Sequence, residues 1–104
     1  MLHYFLEQFS FSLLTGTQDV SMLKILQRVL SGRADANIRF DDLRSLLTGL
    51  GFEERSRGSH HIFVKKRIEE LINLQREGSM AKPYQVRQVR SVITRYGLEQ
   101  LEDD

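Results

Sequence analysis

Gly51-Phe52-Glu53-Glu54-Arg55-Ser56-Arg57-Gly58-Ser59-His60-His61-Ile62-Phe63-Val64-Lys65 decides the fold, because here the helical spacing of apolar residues gives way to β-formers around a tight break. Phe52 to Arg57 reads as a short strand, Arg57-Gly58-Ser59 as a turn and His60 to Lys65 as a second strand, which together make a hairpin. Leu71 to Gln75 is expected as a third strand, reached through the charged connection Lys66 to Glu70 and broken by Glu77-Gly78-Ser79. Beyond it, Pro83 suits the first turn of a final helix whose apolar stripe is Val86, Val89, Val92, Ile93 and Tyr96, with Gly97 as the stop.

Upstream of the hairpin the period is helical. Leu43, Leu46, Leu47 and Leu50 recur at i, i+3, i+4 and i+7 ahead of Gly51, with Asp41 and Asp42 in the first turn, where the helix dipole favours acids. An earlier amphipathic helix is expected from Met22, Ile25, Leu26, Val29 and Leu30, behind Asp19 or Ser21 as a cap and ahead of Gly32. The polar link Arg33 to Asn37 joins the two. The predicted fold class is α+β: an antiparallel three-stranded sheet in the order α-β-β-β-α, covered on one face by two helices and open on the other, plus an amino-terminal helical extension. The expected division is an extension over 1–37 with one or two helices, a domain over 38–98 and an acidic tail over 99–104. Met1 to Thr17 stands apart through Tyr4, Phe5, Phe9 and Phe11. It reads as a further helix packed on the domain or on a second chain, or as an extension ahead of a start at Met22, and its aromatics would suit a partner or a homo-oligomer.

At 104 residues the chain is one domain's worth, and a 40% hydrophobic, 28% charged composition with one Pro belongs to a folded protein. The absence of Cys removes disulfides, thiolate catalysis and Cys-based metal sites, and fits a cytoplasmic protein. No apolar run approaches the roughly 20 residues of a membrane-spanning helix, and no basic segment precedes the early apolar residues as in a secretory signal. The net charge of +1 conceals an asymmetry: Arg55 to Arg95 holds ten basic and three acidic residues, a balance of +7, against −6 elsewhere. Such a segment fits a localised anionic partner such as a nucleic-acid backbone, or else a solvated arginine-rich surface.

Two of the three histidines, His60 and His61, open the second strand directly after its turn, and histidine is the side chain suited to proton transfer near neutral pH. Adjacent strand residues point to opposite faces, so the pair cannot readily hold one metal ion, and no cofactor or metal is expected. Alternation groups His60 with Ile62 and Val64, and His61 with Phe63 and Lys65; Lys65 hints that the His61 side is the wetter one. A purely structural alternative packs one histidine at the sheet edge and leaves the other solvated.

The run Phe40-Asp41-Asp42-Leu43-Arg44-Ser45-Leu46-Leu47, then Leu50-Gly51-Phe52-Glu53-Glu54, Gly58-Ser59-His60-His61-Ile62-Phe63, Lys82-Pro83 to Val89 and Ile93 to Leu98 resembles the HicA family of toxin-antitoxin toxins over about 38–98. The resemblance implies a double-stranded-RNA-binding-domain-like fold, cleavage of mRNA, and silencing by a HicB-like antitoxin protein. It implies His60, the histidine after Gly58-Ser59, as the active one, with His61 in reserve. The mechanism expected on that basis needs no metal. His60 would act as general base on a ribose 2′-hydroxyl or as general acid on the leaving oxygen, while Arg55, Arg57 or Arg87 stabilises charge on the phosphate. Gly58, Ser59, Lys65, Arg90 and Lys82 complete the expected RNA-binding set, Lys82 at the amino end of the last helix, where free backbone amides also favour phosphate. The competing readings are a non-catalytic RNA-binding module using the same basic face, and an interaction domain whose arginines meet an acidic protein.

Overall fold

The computed structural model describes residues 18–100. Helix α1 spans Gln18–Ser31, α2 Phe40–Gly49 and α3 Pro83–Arg95, and between α2 and α3 run the strands β1 (Glu53–Arg57), β2 (His60–Lys65) and β3 (Ile68–Gln75). A 3-10 turn over Leu98–Gln100 follows α3, at the start of the expected acidic tail. The sheet is antiparallel throughout in the order β1-β2-β3. Over the described residues the fold is therefore α+β, three helices with a three-stranded antiparallel open sheet, compatible with the expected α-β-β-β-α order. The expectations for Met1 to Thr17 lie outside the described residues.

Each helix forms where its apolar stripe has something to cover. Leu43, Leu46 and Leu47 of α2 and Val86, Val89, Val92 and Ile93 of α3 are buried in one cluster with Phe63, Ile72 and Leu74 from the inward face of the sheet. Burying side chains of this size stabilises by about 1.5–3 kcal/mol each, which is what holds a sheet of only three strands against its helices. The opposite face remains open: His60, Glu69, Asn73 and Gln75 are exposed, and Leu71 is 52% exposed. Helix α1, described from Gln18, sends Leu26 and Val29 into the same cluster.

The third strand departs from the expected Leu71 to Gln75. It starts at Ile68, and the charged stretch taken as a connection is mostly strand; only Lys66 and Arg67 form the link, with Arg67 at φ 74°. Glu69 is exposed on the open face, whereas Glu70 faces α3 and pairs with Arg95 at 2.6 Å. Charge that resembles a loop in sequence thus lies on an alternating strand with an ion pair on its inner side. A register shift between Phe63 and Lys65 accommodates this lower part of the hairpin.

Candidate functional site

The β1–β2 turn places both histidines. Gly58 takes φ 61°, a left-handed conformation open to glycine, and Ser59 turns the chain so that Arg57 pairs with His60, Ser56 with His61 and Arg55 with Ile62. The Ser59 carbonyl then accepts the Arg76 N–H at 2.8 Å, tying the turn to the end of β3. His60 comes out on the open face beside Arg57 and Gln75, exposed and with no side-chain hydrogen bond to a described residue. His61 faces the helices and is only 6% exposed. The side hinted as wetter by Lys65 is the covered one: Phe63 is fully buried, and Lys65, half-buried at the strand end, extends its amine to the space beside Gly51. A long aliphatic stem that covers apolar surface while its ammonium escapes makes lysine a poor marker of which face is wet.

His61 Nδ1 lies 2.7 Å from Glu54 Oε2 and 2.9 Å from Ser56 Oγ, both presented by β1. Glu54 is held in turn by a two-pronged contact from Arg44 of α2, Nε to Oε2 at 2.7 Å and Nη2 to Oε1 at 3.1 Å, while Ser56 donates to Oε2 at 3.2 Å. Arg44 also donates to Asp41 at 2.9 Å, and Asp41 accepts from Arg76 beyond β3. The Phe40 ring meets the His61 ring edge-on at 5.2 Å and carries the Arg76 guanidinium 4.7 Å from its centroid. Burial pushes the Glu54 carboxyl up, but hydrogen bonds from Arg44, His61 and Ser56 more than offset it and hold the carboxyl below its ordinary range. Asp41 is likewise held down, by the hydrogen bonds from Arg76 first and Arg44 second. The result is an imidazole gripped at one nitrogen by an ionised carboxylate, which Arg44 holds in turn. No described residue hydrogen-bonds Nε2.

The remaining expected site residues divide. Arg57 and Arg87 are exposed, and neither pairs with a described acid. Arg55 pairs with Glu53 at 3.3 Å, and Lys82 with Glu77 at 3.3 Å, on the surface, where such pairs exchange readily with solvent and ligands. Arg90 is already engaged. It grips Asp35 with both Nη atoms, at 2.9 and 3.1 Å, and donates to the Val29 carbonyl at 2.9 Å, so it fastens α3 to α1 and the α1–α2 link. A phosphate would have to displace Asp35, whose carboxyl is held down chiefly by that arginine. Lys82 does stand at the amino end of α3, but the backbone N–H of Lys82 is taken by Gln85 Oε1 at 3.1 Å.

Glu54, Ser56, Arg44, Asp41, Arg76 and Gln85 join the site without being among the expected site residues. A two-residue break at Gly58-Ser59 fixes the pairing of Ser56 with His61, and Glu54 lies one alternation further along the same face; that signal was present. Gln85, nearly fully buried, answers for itself by accepting from Lys82 N–H and donating to the Gln75 carbonyl at 2.9 Å, which seats the start of α3 against the end of β3. Among the described residues, no group of three or more His, Asp or Glu side chains is arranged to hold a metal ion. Comparison with known proteins matches no family model, no curated protein and no solved structure.

Proposed function

We propose that the chain is a HicA-like toxin with a double-stranded-RNA-binding-domain-like fold: a metal-independent ribonuclease that cleaves mRNA and is silenced by a HicB-like antitoxin. The observation that carries this reading is the Glu54–His61 pair, 2.7 Å apart beneath the basic hairpin. A general base needs an oriented ring and a free nitrogen, and His61 has the carboxylate that supplies the first. His60 has the exposure and the neighbouring Arg57 that the resemblance favours, but no group holds its ring. The two lie on opposite faces, so one phosphodiester meets one of them, and we favour His61.

In the reaction, a ribose 2′-hydroxyl gives its proton to the imidazole while O2′ bonds to phosphorus and the P–O5′ bond breaks. The departing O5′ takes a proton from water, and the imidazolium returns its proton to solvent. The products are a 2′,3′-cyclic phosphate and a 5′-hydroxyl, and no metal or oxidant enters. Arg44, bound to Glu54, and Arg76, over the Phe40 ring that meets His61, favour phosphate there electrostatically, although both are engaged by acids.

The test is cleavage of end-labelled mRNA in EDTA by wild type, His60→Ala and His61→Ala, with RNA affinity measured alongside. We expect His61→Ala to lose about 10²–10⁴-fold in rate at little cost in affinity, and His60→Ala to stay within about tenfold of wild type. Loss confined to His60→Ala would move the chemistry to the open face. Equal traces from all three, with RNA still bound, would leave a non-catalytic binding module.

A further inference from the structure

The contacts around His61 raise a question beyond which histidine acts: which of its ring nitrogens holds the proton. At 2.7 Å, Nδ1 and Glu54 Oε2 are at charge-assisted hydrogen-bond distance, and two lone pairs would repel there. Something between them carries hydrogen. The Glu54 carboxyl is held below its ordinary range, its oxygens engaged by Arg44 Nε and Nη2 and by the Ser56 hydroxyl, so near neutrality it brings no proton of its own. Ser56 offers no alternative, because its Oγ stands 2.9 Å from Nδ1 and 3.2 Å from Oε2 and can give its one proton to only one of them.

We propose that Glu54 is the positioning residue of this site: held by Arg44, it accepts the Nδ1–H of His61, fixes that tautomer, and so presents the Nε2 lone pair as the base. The catalytic half of this inference rests on the ribonuclease reading; the tautomer half does not. The charged groups bonded to the pair form one chain. From β1, Glu54 attracts the Nδ1 proton. From α2, Arg44 keeps Glu54 ionised and Asp41 anchors Arg44, while Arg76 from beyond β3 fastens Asp41. Replacing Glu54 by Gln supplies an amide N–H that can donate to Nδ1, which then becomes the acceptor and moves the ring proton to Nε2, where it blocks the base.

The experiment uses the full chain. Ring ¹⁵N shifts and long-range ¹H–¹⁵N correlations of His61, assigned by comparison with His61→Ala, are recorded near pH 8 for wild type, Glu54→Gln and Glu54→Asp. RNA cleavage in EDTA is followed on the same samples. We expect Nδ1–H with an unprotonated Nε2 in wild type, a shift toward Nε2–H in Glu54→Gln with at least a tenfold fall in cleavage rate, and recovery of both in Glu54→Asp. Wild-type His61 in the Nε2–H form overturns the inference, and this needs no variant to fold. A flipped tautomer with undiminished cleavage overturns the catalytic half. A wild type that leaves RNA intact while His61 keeps Nδ1–H removes the ribonuclease reading and leaves Glu54 as the group that sets the tautomer.

Discussion

Arg44 holds the half-buried Glu54 carboxylate in its ionised form. Three donors keep Glu54 ionised against the opposing effect of burial, and a carboxyl lowered in this way ties stability to pH with a definite sign. The contribution is complete above the ordinary glutamate range, near pH 4.5, and is lost as pH falls through the lower folded value. Asp41 and Asp35, both held down by arginines, act in the same direction below about pH 3.8. We therefore expect the urea midpoint to be insensitive to these groups from pH 5 to 7 and to fall steeply under pH 4. In Arg44→Met the Glu54 carboxyl loses its two-pronged partner, so its ¹³C titration should move up. Stability at pH 7 should drop by about 1.5–3 kcal/mol, the range for a lost hydrogen bond to a charged group. A titration curve for Glu54 unchanged in that variant would mean that Arg44 is not what keeps it ionised.

At the scale of elements, what the sequence revealed depended on whether an element's partners were local. The leucines of α2 and the valines of α3 declare their helices because a buried stripe repeats with the helix period itself, and the first hairpin was legible from its β-formers and Gly58. The start of β3 was not, because Glu69 and Glu70 look like solvated loop until Glu70 meets Arg95, 25 residues away. The same distance rule governs the site. The histidine pair is visible in one line of sequence, but Arg76 and Asp41 are 35 residues apart and meet only after folding. The β2–β3 link carries a testable strain. Arg67 at φ 74° occupies a conformation that costs a side-chain-bearing residue about 1–2 kcal/mol, partly offset in glycine by its greater unfolded-state freedom. Arg67→Gly should therefore stabilise by about 0.5–1 kcal/mol in urea denaturation. Destabilisation by that substitution would show that the Arg67 side chain contributes more than its backbone costs.

For the whole molecule, the contacts of α1 give a reason to test the expected boundary between an extension over 1–37 and a domain over 38–98. Leu26 and Val29 are buried among the residues of α2 and α3, and Arg90 reaches out of α3 to the Val29 carbonyl and to Asp35. Removing the two apolar side chains withdraws about 1.5–3 kcal/mol each, and the uncovered leucine and valine stripes of α2 and α3 add to the loss. Against a net stability of about 5–15 kcal/mol for an ordinary domain, that is enough to decide whether the remainder folds. A 38–104 fragment is thus expected to lack a cooperative urea transition by circular dichroism, while Leu26→Ala in the full chain should keep one and lose about 2–5 kcal/mol. A fragment with an unchanged midpoint would make α1 an appendage. The site would feel the loss too: α2 supplies Arg44, Asp41 and Phe40 around His61, so a core that loosens on the α1 side releases the imidazole as well, and the Nδ1–Glu54 contact should weaken together with the fold.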